Sequence, residues 1–228
     1  MNASSKGAAS HNTNGLRPDL AAIADMIRPG SRVLDVGCGD GALLEYLVTT
    51  KGVDGRGVEI SQANVNACVA RGLAVVQGDA DTDLADYPAR AFDAVILSQT
   101  IQATEKPMMV LKHLLRFGRR TAVSLPNFGY WKVRAALLAG GRMPQTKALN
   151  HSWYDTPNIH LCTLADFVDL TTACGAVIVE AHALNQSGEA SNMKPASLLR
   201  GWMGPNLLAP GGVFLLKKAT NPPGHPPV

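Results

Sequence analysis

With 228 residues, 46% of them apolar, the chain can bury the core of one α/β domain and still carry an insertion and tails. A net charge of +3 falls short of the concentrated basic face that nucleic-acid binding needs, and no apolar run approaches the roughly 18 residues of a membrane span. Four cysteines (Cys38, Cys68, Cys162, Cys174) lie far apart with no Cys-X-X-Cys pair, which argues against zinc and against a disulfide framework.

Residues 1–15 are Ser, Ala, Asn and Gly without periodicity or an apolar h-region, so a disordered tail and a reduced, cytoplasmic protein are expected. Asp19 is placed to cap a first helix in which Leu20, Ile23 and Ile27 recur at helical spacing. Pro29-Gly30 ends that helix. Val33 to Val36 reads as the first strand, Gly37-Cys38-Gly39-Asp40-Gly41 as a tight turn, and the next segment as a helix with Leu43, Leu44 and Leu47 on one side. Glycines there let a ligand lie against the backbone, and a helix N-terminus offers it unpaired N–H groups.

The alternation continues. Gly55 to Ile60 is a second strand, Ser61 caps a helix from Gln62 to Arg71, and Leu73 to Gln77 is a third strand. Phe92 to Ser98 is a continuous apolar run of the kind buried on both faces. Lys106 to Arg116 follows as a helix with Met109, Val110 and Leu114 as its stripe, then Arg120 to Leu125 as a fifth strand. Arg116, Arg119 and Arg120 read as a solvated helix end. Strands and helices in this rhythm imply right-handed crossovers and a parallel sheet.

Beyond Pro126 the pattern changes. Residues 127–161 form an insertion too long for an ordinary connection, with a short helix from Trp131 to Leu138. Thr163 and Asp166 form a capping-box start to a helix reaching Cys174. Ala176 to Ala183 and Gly212 to Lys218 are strands six and seven, separated by a long polar loop over 185–211. Residues 220–228 read as a second disordered tail, leaving 16–219 as a single domain.

Asp35-Val36-Gly37-Cys38-Gly39-Asp40-Gly41 resembles motif I of class I S-adenosylmethionine-dependent methyltransferases, because the third glycine arrives one residue earlier than in dinucleotide folds and an acid precedes the first. That resemblance implies a cofactor site in which Asp35, Gly37 and Gly39 face the methionyl end. Cys38 has a backbone role and Gly41 closes the turn, while Leu97 and Ser98 form the opposite wall. Glu59, beside Ile60 at the end of strand two, is placed to accept from both ribose hydroxyls, unless it is an ordinary strand-end carboxylate. By the same resemblance Asp79 accepts from the adenine amino group and the Ala80 N–H meets the ring; the plainer alternative makes Asp79 a turn acid and Asp81 a helix cap. Ser98 to Thr104 holds neither carboxylate nor proline, so the core motifs offer no general base. His160 and Asp155 are the remaining catalytic candidates, although a His just before a helix cap is more commonly a structural hydrogen-bonder; His113 and His151 read as surface residues.

Leu16 to Leu20, Val33 to Gly41, Gly57 to Ile60, Ile96 to Thr104, Ser124 to Gly129, Gly141 to Pro144 and Trp153 to Thr163 together resemble the bacterial methionine biosynthesis family MetW, over about residues 16 to 183. The resemblance implies the class I methyltransferase fold, Rossmann-like, with a seven-stranded mostly parallel sheet sandwiched by helices. It implies S-adenosylmethionine or S-adenosylhomocysteine as cofactor and a homoserine O-acyltransferase of MetX type as partner. Neither nucleic acid nor membrane is expected as a partner, and a homodimer stays open. Phe128, Tyr130, Trp131, Trp153 and Tyr154 either form the partner surface or a lid, or they cover the sheet edge or line a substrate pocket. Two competing readings are a methyltransferase acting on a small molecule and a nicotinamide-dependent reductase, the latter disfavoured by the glycine spacing.

Overall fold

The computed structural model describes residues 15–146, 149, 151–187, 189–194 and 204–220. The expected tails, Gly15 and Thr220 apart, lie outside the described residues. In chain order come α1 (Pro18–Met26), β1 (Arg32–Val36), α2 (Ala42–Lys51), β2 (Asp54–Glu59), α3 (Gln62–Ala70), β3 (Ala74–Gln77) and β4 (Phe92–Ser98). A 3-10 turn (Ile101–Ala103), α4 (Pro107–Phe117), β5 (Gly118–Pro126), α5 (Trp131–Gly140) and α6 (Leu164–Ala173) follow. The chain then forms β6 (Ala176–Leu184), β7 (Ala190–Asn192), a single helical turn α7 (Pro205–Leu208) and β8 (Gly211–Lys218).

The strands lie in the order β3-β2-β1-β4-β5-β8-β6-β7. β1 to β5 are mutually parallel, whereas β8 runs antiparallel to both β5 and β6. Connections leave β1 in opposite directions toward β2 and β4, so the switch point of the sheet falls between β1 and β4. The α/β sandwich is as expected, but the sheet has eight described strands rather than seven. β7 escapes sequence reading because it is three exposed polar or small residues with no alternation. It forms when Asn185 and Glu189 close a turn (Asn185 N to Glu189 O, 3.0 Å) that folds it onto β6. The 185–211 segment is thus a hairpin and a helical turn rather than a plain loop, with 195–203 outside the described residues.

Alternation along the strands sorts the core into two layers. Leu34, Val36, Leu97, Val123 and Phe214 pack with α4 and α6 on one face. Val33, Ile96, Ala122 and Val213 pack with Ile23 of α1 and Leu43 and Leu47 of α2 on the other. Helix α4 buries Val110, Leu111, Leu114, Leu115 and Phe117, while Met109 is 53% exposed, so its stripe is one position off the expected one. Arg116 is not merely solvated: its Nη2 donates to the carbonyls of Leu84 (3.2 Å) and Ala85 (2.6 Å).

The cap of α6 forms as its sequence requires. Thr163 Oγ1 accepts from Asp166 N (3.2 Å), and Asp166 Oδ2 accepts from Thr163 N (2.8 Å). Thr163→Ala is expected to cost about 1 kcal/mol, read as a lower urea midpoint at unchanged slope.

Candidate functional site

At the carboxyl end of β1 the chain turns through three glycines with positive φ, Gly37 (70°), Gly39 (58°) and Gly41 (81°), and enters α2. The turn is built against its neighbours. Gly37 N donates to Val58 O at 2.7 Å, and a Cβ on Gly37 would stand 2.7 Å from Thr100 Oγ1. A Cβ on Gly41 would meet Leu73 and Cys68, whereas one on Gly39 would project into open space, where a ligand can approach the backbone.

Glu59 holds this turn in place. Its carboxylate, 6% exposed, accepts from Gly39 N through Oε2 (2.8 Å) and from Ser61 N through Oε1 (2.9 Å). Oε1 also accepts from Asn64 Nδ2 (3.4 Å), so Oε2 is the oxygen with capacity for a further donor such as a hydroxyl. Asp35, on the same face, is 2% exposed and its Oδ1 has no partner among the described residues. Burial, aided by the neighbouring Glu59 charge and offset by Arg17, raises its pKa from 3.8 to about 7.

The other expected residues divide. Asp79 follows β3 next to Glu59, tied by Gly78 N to Glu59 O at 3.1 Å. One of its oxygens accepts from Asp81 N (2.8 Å), so it is a turn acid with a second oxygen to spare. Asp81 is committed elsewhere: it accepts from Glu105 N (2.8 Å) and Lys106 N (2.9 Å) at the start of α4. Ile60 is 64% exposed, an apolar side chain beside the crevice acid, while Ala80 packs half-buried against the main core. The Leu97 side chain is fully buried, because alternation turns it into the α4 and α6 layer, so at this position only the backbone can face the crevice. Cys38 packs with Leu44, Val65, Cys68 and Val75, and its thiol is pushed up chiefly by burial, which keeps it protonated.

Ser98 lies in a polar cluster. Asp19, expected as a helix cap, is instead buried inside the first turn of α1, where Arg17 occupies the cap position and Pro18 opens the helix. Asp19 Oδ2 accepts from Ser124 Oγ (2.8 Å) and Ser98 Oγ (3.1 Å), and both Asp19 oxygens accept from Arg17. Sequence reading misses Arg17 and Ser124, because nothing local marks a bond spanning 105 residues.

The catalytic candidates are not assembled into a unit. His160 and Asp155 are exposed, and neither side chain has a partner among the described residues. The backbone around His160 serves the fold instead. The N–H groups of Ile159 and His160 donate to Gln102 O at 3.0 and 2.9 Å, strapping the insertion over the turn after β4. His151 is exposed as expected; His113 is half-buried. In the insertion Tyr130 is buried, whereas Trp131, Trp153 and Tyr154 are 44%, 75% and 76% exposed. No group of three or more His, Cys, Asp or Glu suited to a metal occurs among the described residues.

Donors and acceptors in this crevice match S-adenosylmethionine chemically. An unpartnered buried carboxylate oxygen suits its ammonium group, and a strand-end carboxylate suits its ribose. The group, when bound, supplies an electrophilic methyl on a sulfonium.

Comparison with known proteins bears on the fold and the family. A methyltransferase from Archaeoglobus fulgidus described as SAM-dependent superposes with a TM-score of 0.61 at 17% identity, over 87% of this chain and 91% of that one. A second from Methanosarcina mazei superposes at 0.59 and 13% identity, over 88% and 98%. Among curated proteins, the bifunctional methionine biosynthesis protein MetXA/MetW of Rhodopirellula baltica is 36% identical over 174 residues, or 72% of this chain. The fatty-acid O-methyltransferase of Mycolicibacterium smegmatis is 42% identical over 81 residues, or 33% of this chain. The chain spans 28% of the length of each of these two relatives. The model of the methionine biosynthesis protein MetW matches residues 17–216. No described helix is long and apolar enough to cross a membrane. With a methyltransferase-like fold and a family match along almost its whole described length, the chain belongs to the MetW family of methionine biosynthesis proteins.

Proposed function

We propose that this chain is an accessory partner of a MetX-type homoserine O-acyltransferase, and that its crevice binds S-adenosylmethionine or S-adenosylhomocysteine as a signal. The observation that carries the partnership is the relative named MetXA/MetW, in which a region 36% identical to this chain belongs to one bifunctional polypeptide. Fusion holds two functions at high effective concentration, the arrangement that a weak but obligatory association favours. S-adenosylmethionine lies downstream of homoserine acylation, so a protein that reads it needs the pocket without the chemistry. Among the described residues, His160 and Asp155 are exposed and have no side-chain partner that would orient either as a base, which fits that role. The exposed Trp131, Trp153 and Tyr154 of the insertion supply the residue types that anchor interfaces.

The test is acyl transfer to homoserine by the acyltransferase of the same organism, with and without this protein. A large rise is expected on addition, reduced when Trp131→Ala and Trp153→Ala are combined. An acyltransferase fully active alone and unchanged by addition would refute the partnership. Absence of binding to both S-adenosylmethionine and S-adenosylhomocysteine would refute the sensing role.

A second reading, methyl transfer to a small molecule, is favoured by the 81-residue similarity to a fatty-acid O-methyltransferase. A carboxylate acceptor is already nucleophilic, so proximity to the sulfonium would suffice without a base. Methyl transfer to added fatty acids would establish it.

A further inference from the structure

Helix α5 has the composition of a buried helix, and it is not buried. From Ala135 to Gly140 it carries no polar side chain, yet of its ten residues only Val133 is buried. Leu138 is 90% exposed, and Trp131, Leu137 and Met143 are exposed as well. A helix this short is marginal in water without a packed face, so α5 needs a cover that the described residues do not provide.

Just past its C-terminus a groove of about 620 Å³ opens, lined by Arg142, Met143, Gln145, Ser152, Trp153 and Tyr154. Gln145 Nε2 donates to Ser152 Oγ (2.9 Å) and ties the two sides together. Trp153 and Tyr154 stand edge to face there, with ring centroids 5.7 Å apart. An exposed apolar ridge beside a groove with an aromatic pair is the anatomy of a docking face.

Charge selects the partner. Residues 127–154 hold four cations (Lys132, Arg134, Arg142 and Lys147) and no carboxylate. Lys132 donates to Gln186 Oε1 (2.9 Å) and Arg134 to Gly129 O (2.6 Å), whereas Arg142 has no partner among the described residues. A second copy docked through the same face would bring like charges together. An anionic lipid surface satisfies the charge but makes no use of a shaped groove. A protein surface that is apolar at its centre and acidic at its rim satisfies both.

We propose that α5 and this groove form the docking face for the acyltransferase, whose complementary surface is apolar at its centre and carries carboxylates at its rim. Leu137 and Leu138 enter the apolar centre, and Arg142 pairs with a rim carboxylate. The inference rests on the partnership proposed above and adds where the partner binds and with what chemistry.

The deciding experiment is calorimetric titration of the full chain with the acyltransferase of the same organism at low and high salt. The wild type is expected to bind roughly 10-fold more weakly in about 0.5 M salt than in about 0.05 M, as screened charge pairs require. Leu138→Gln, which keeps charge and helix propensity, should lose roughly 10- to 100-fold, the value of burying a leucine. Arg142→Gln should lose about 10-fold at low salt and little at high salt. Urea midpoints of both variants should match the wild type, and α5 amides should exchange fast in the free chain and slowly in the complex. A Leu138→Gln protein that binds as the wild type does, or α5 amides left unprotected in the complex, overturns the proposal. So does an affinity indifferent to salt and to Arg142→Gln, and in each case binding itself leaves the partnership standing. A dimer of this chain, or sedimentation with phosphatidylglycerol vesicles, that Leu138→Gln abolishes while acyltransferase binding persists gives the face to a second copy or a lipid and overturns it too. An acyltransferase that neither binds the chain nor responds to it overturns both.

Discussion

Glu59→Gln is expected to weaken S-adenosylhomocysteine binding on the order of 100-fold and to destabilise the fold by about 2 kcal/mol, although it preserves size and shape. The reason lies in what the carboxylate accepts. Oε2 takes the Gly39 N–H and Oε1 takes the Ser61 N–H, at 2.8 and 2.9 Å. An amide presents one oxygen only, so its NH₂ group must face one of these two backbone donors. If it faces Gly39, the glycine turn loses its tether at the residue whose missing Cβ leaves the crevice open. If it faces Ser61, the entry to α3 is disturbed, where Ser61 caps the helix. Glu59 is 6% exposed, so water cannot readily rescue either donor. Calorimetry and urea unfolding of the variant check both numbers; unchanged affinity would separate Glu59 from the ligand.

The second large effect is a dependence of stability on pH that originates at Asp35. Burial first, then the Glu59 charge, raises its folded pKa from 3.8 to about 7, with Arg17 working the other way. Below about pH 4 both states are protonated. Between pH 4 and 7 only the unfolded chain releases the proton, so the folded state holds one more and loses stability as pH rises. Above 7 the loss is complete. A gap of about three pH units at about 1.4 kcal/mol each is on the order of 4 kcal/mol, of which roughly 3 falls between pH 5 and 8. Asp35→Asn removes this slope and is expected to be more stable than the wild type at pH 8, while binding amino-acid-bearing ligands more weakly. An ammonium group beside Asp35 favours its ionised form, so ligand binding near pH 6 should release a proton and tighten toward pH 8. Unfolding free energies at pH 5 and 8 for both proteins decide it; equal slopes would show that Asp35 ionises normally.

The two acids of the crevice stand in different relations to the fold. Glu59 holds the glycine turn and the entry to α3 through its two oxygens, so a variant there disturbs the fold together with any ligand contact. Asp35 is held at a cost in the free protein that a bound cation relieves.

Much of this architecture is written locally. The glycine turn needs three positive φ values, and only glycine supplies them cheaply, so Gly37, Gly39 and Gly41 can be read from spacing. The boundaries of β4 and the capping box of α6 follow from an unbroken apolar run and from a Thr-X-X-Asp spacing. Family membership was legible for the same reason, since its motifs lie in short contiguous stretches. What the sequence could not disclose involves partners distant along the chain. Asp19 looks like a helix cap until α1 packs over β4 and β5 and brings Ser98 and Ser124 to it across 79 and 105 residues. Asp81 looks like a local cap until α4 arrives beside it. Leu97 and Ser98 are adjacent in sequence, yet the strand's twofold alternation buries one in the core and turns the other toward Arg17. Local propensity and turn chemistry therefore determined the elements and the glycine cradle. Long-range packing alone decided which polar groups share the crevice, because a buried charge is settled by whatever partners the fold brings within hydrogen-bonding distance.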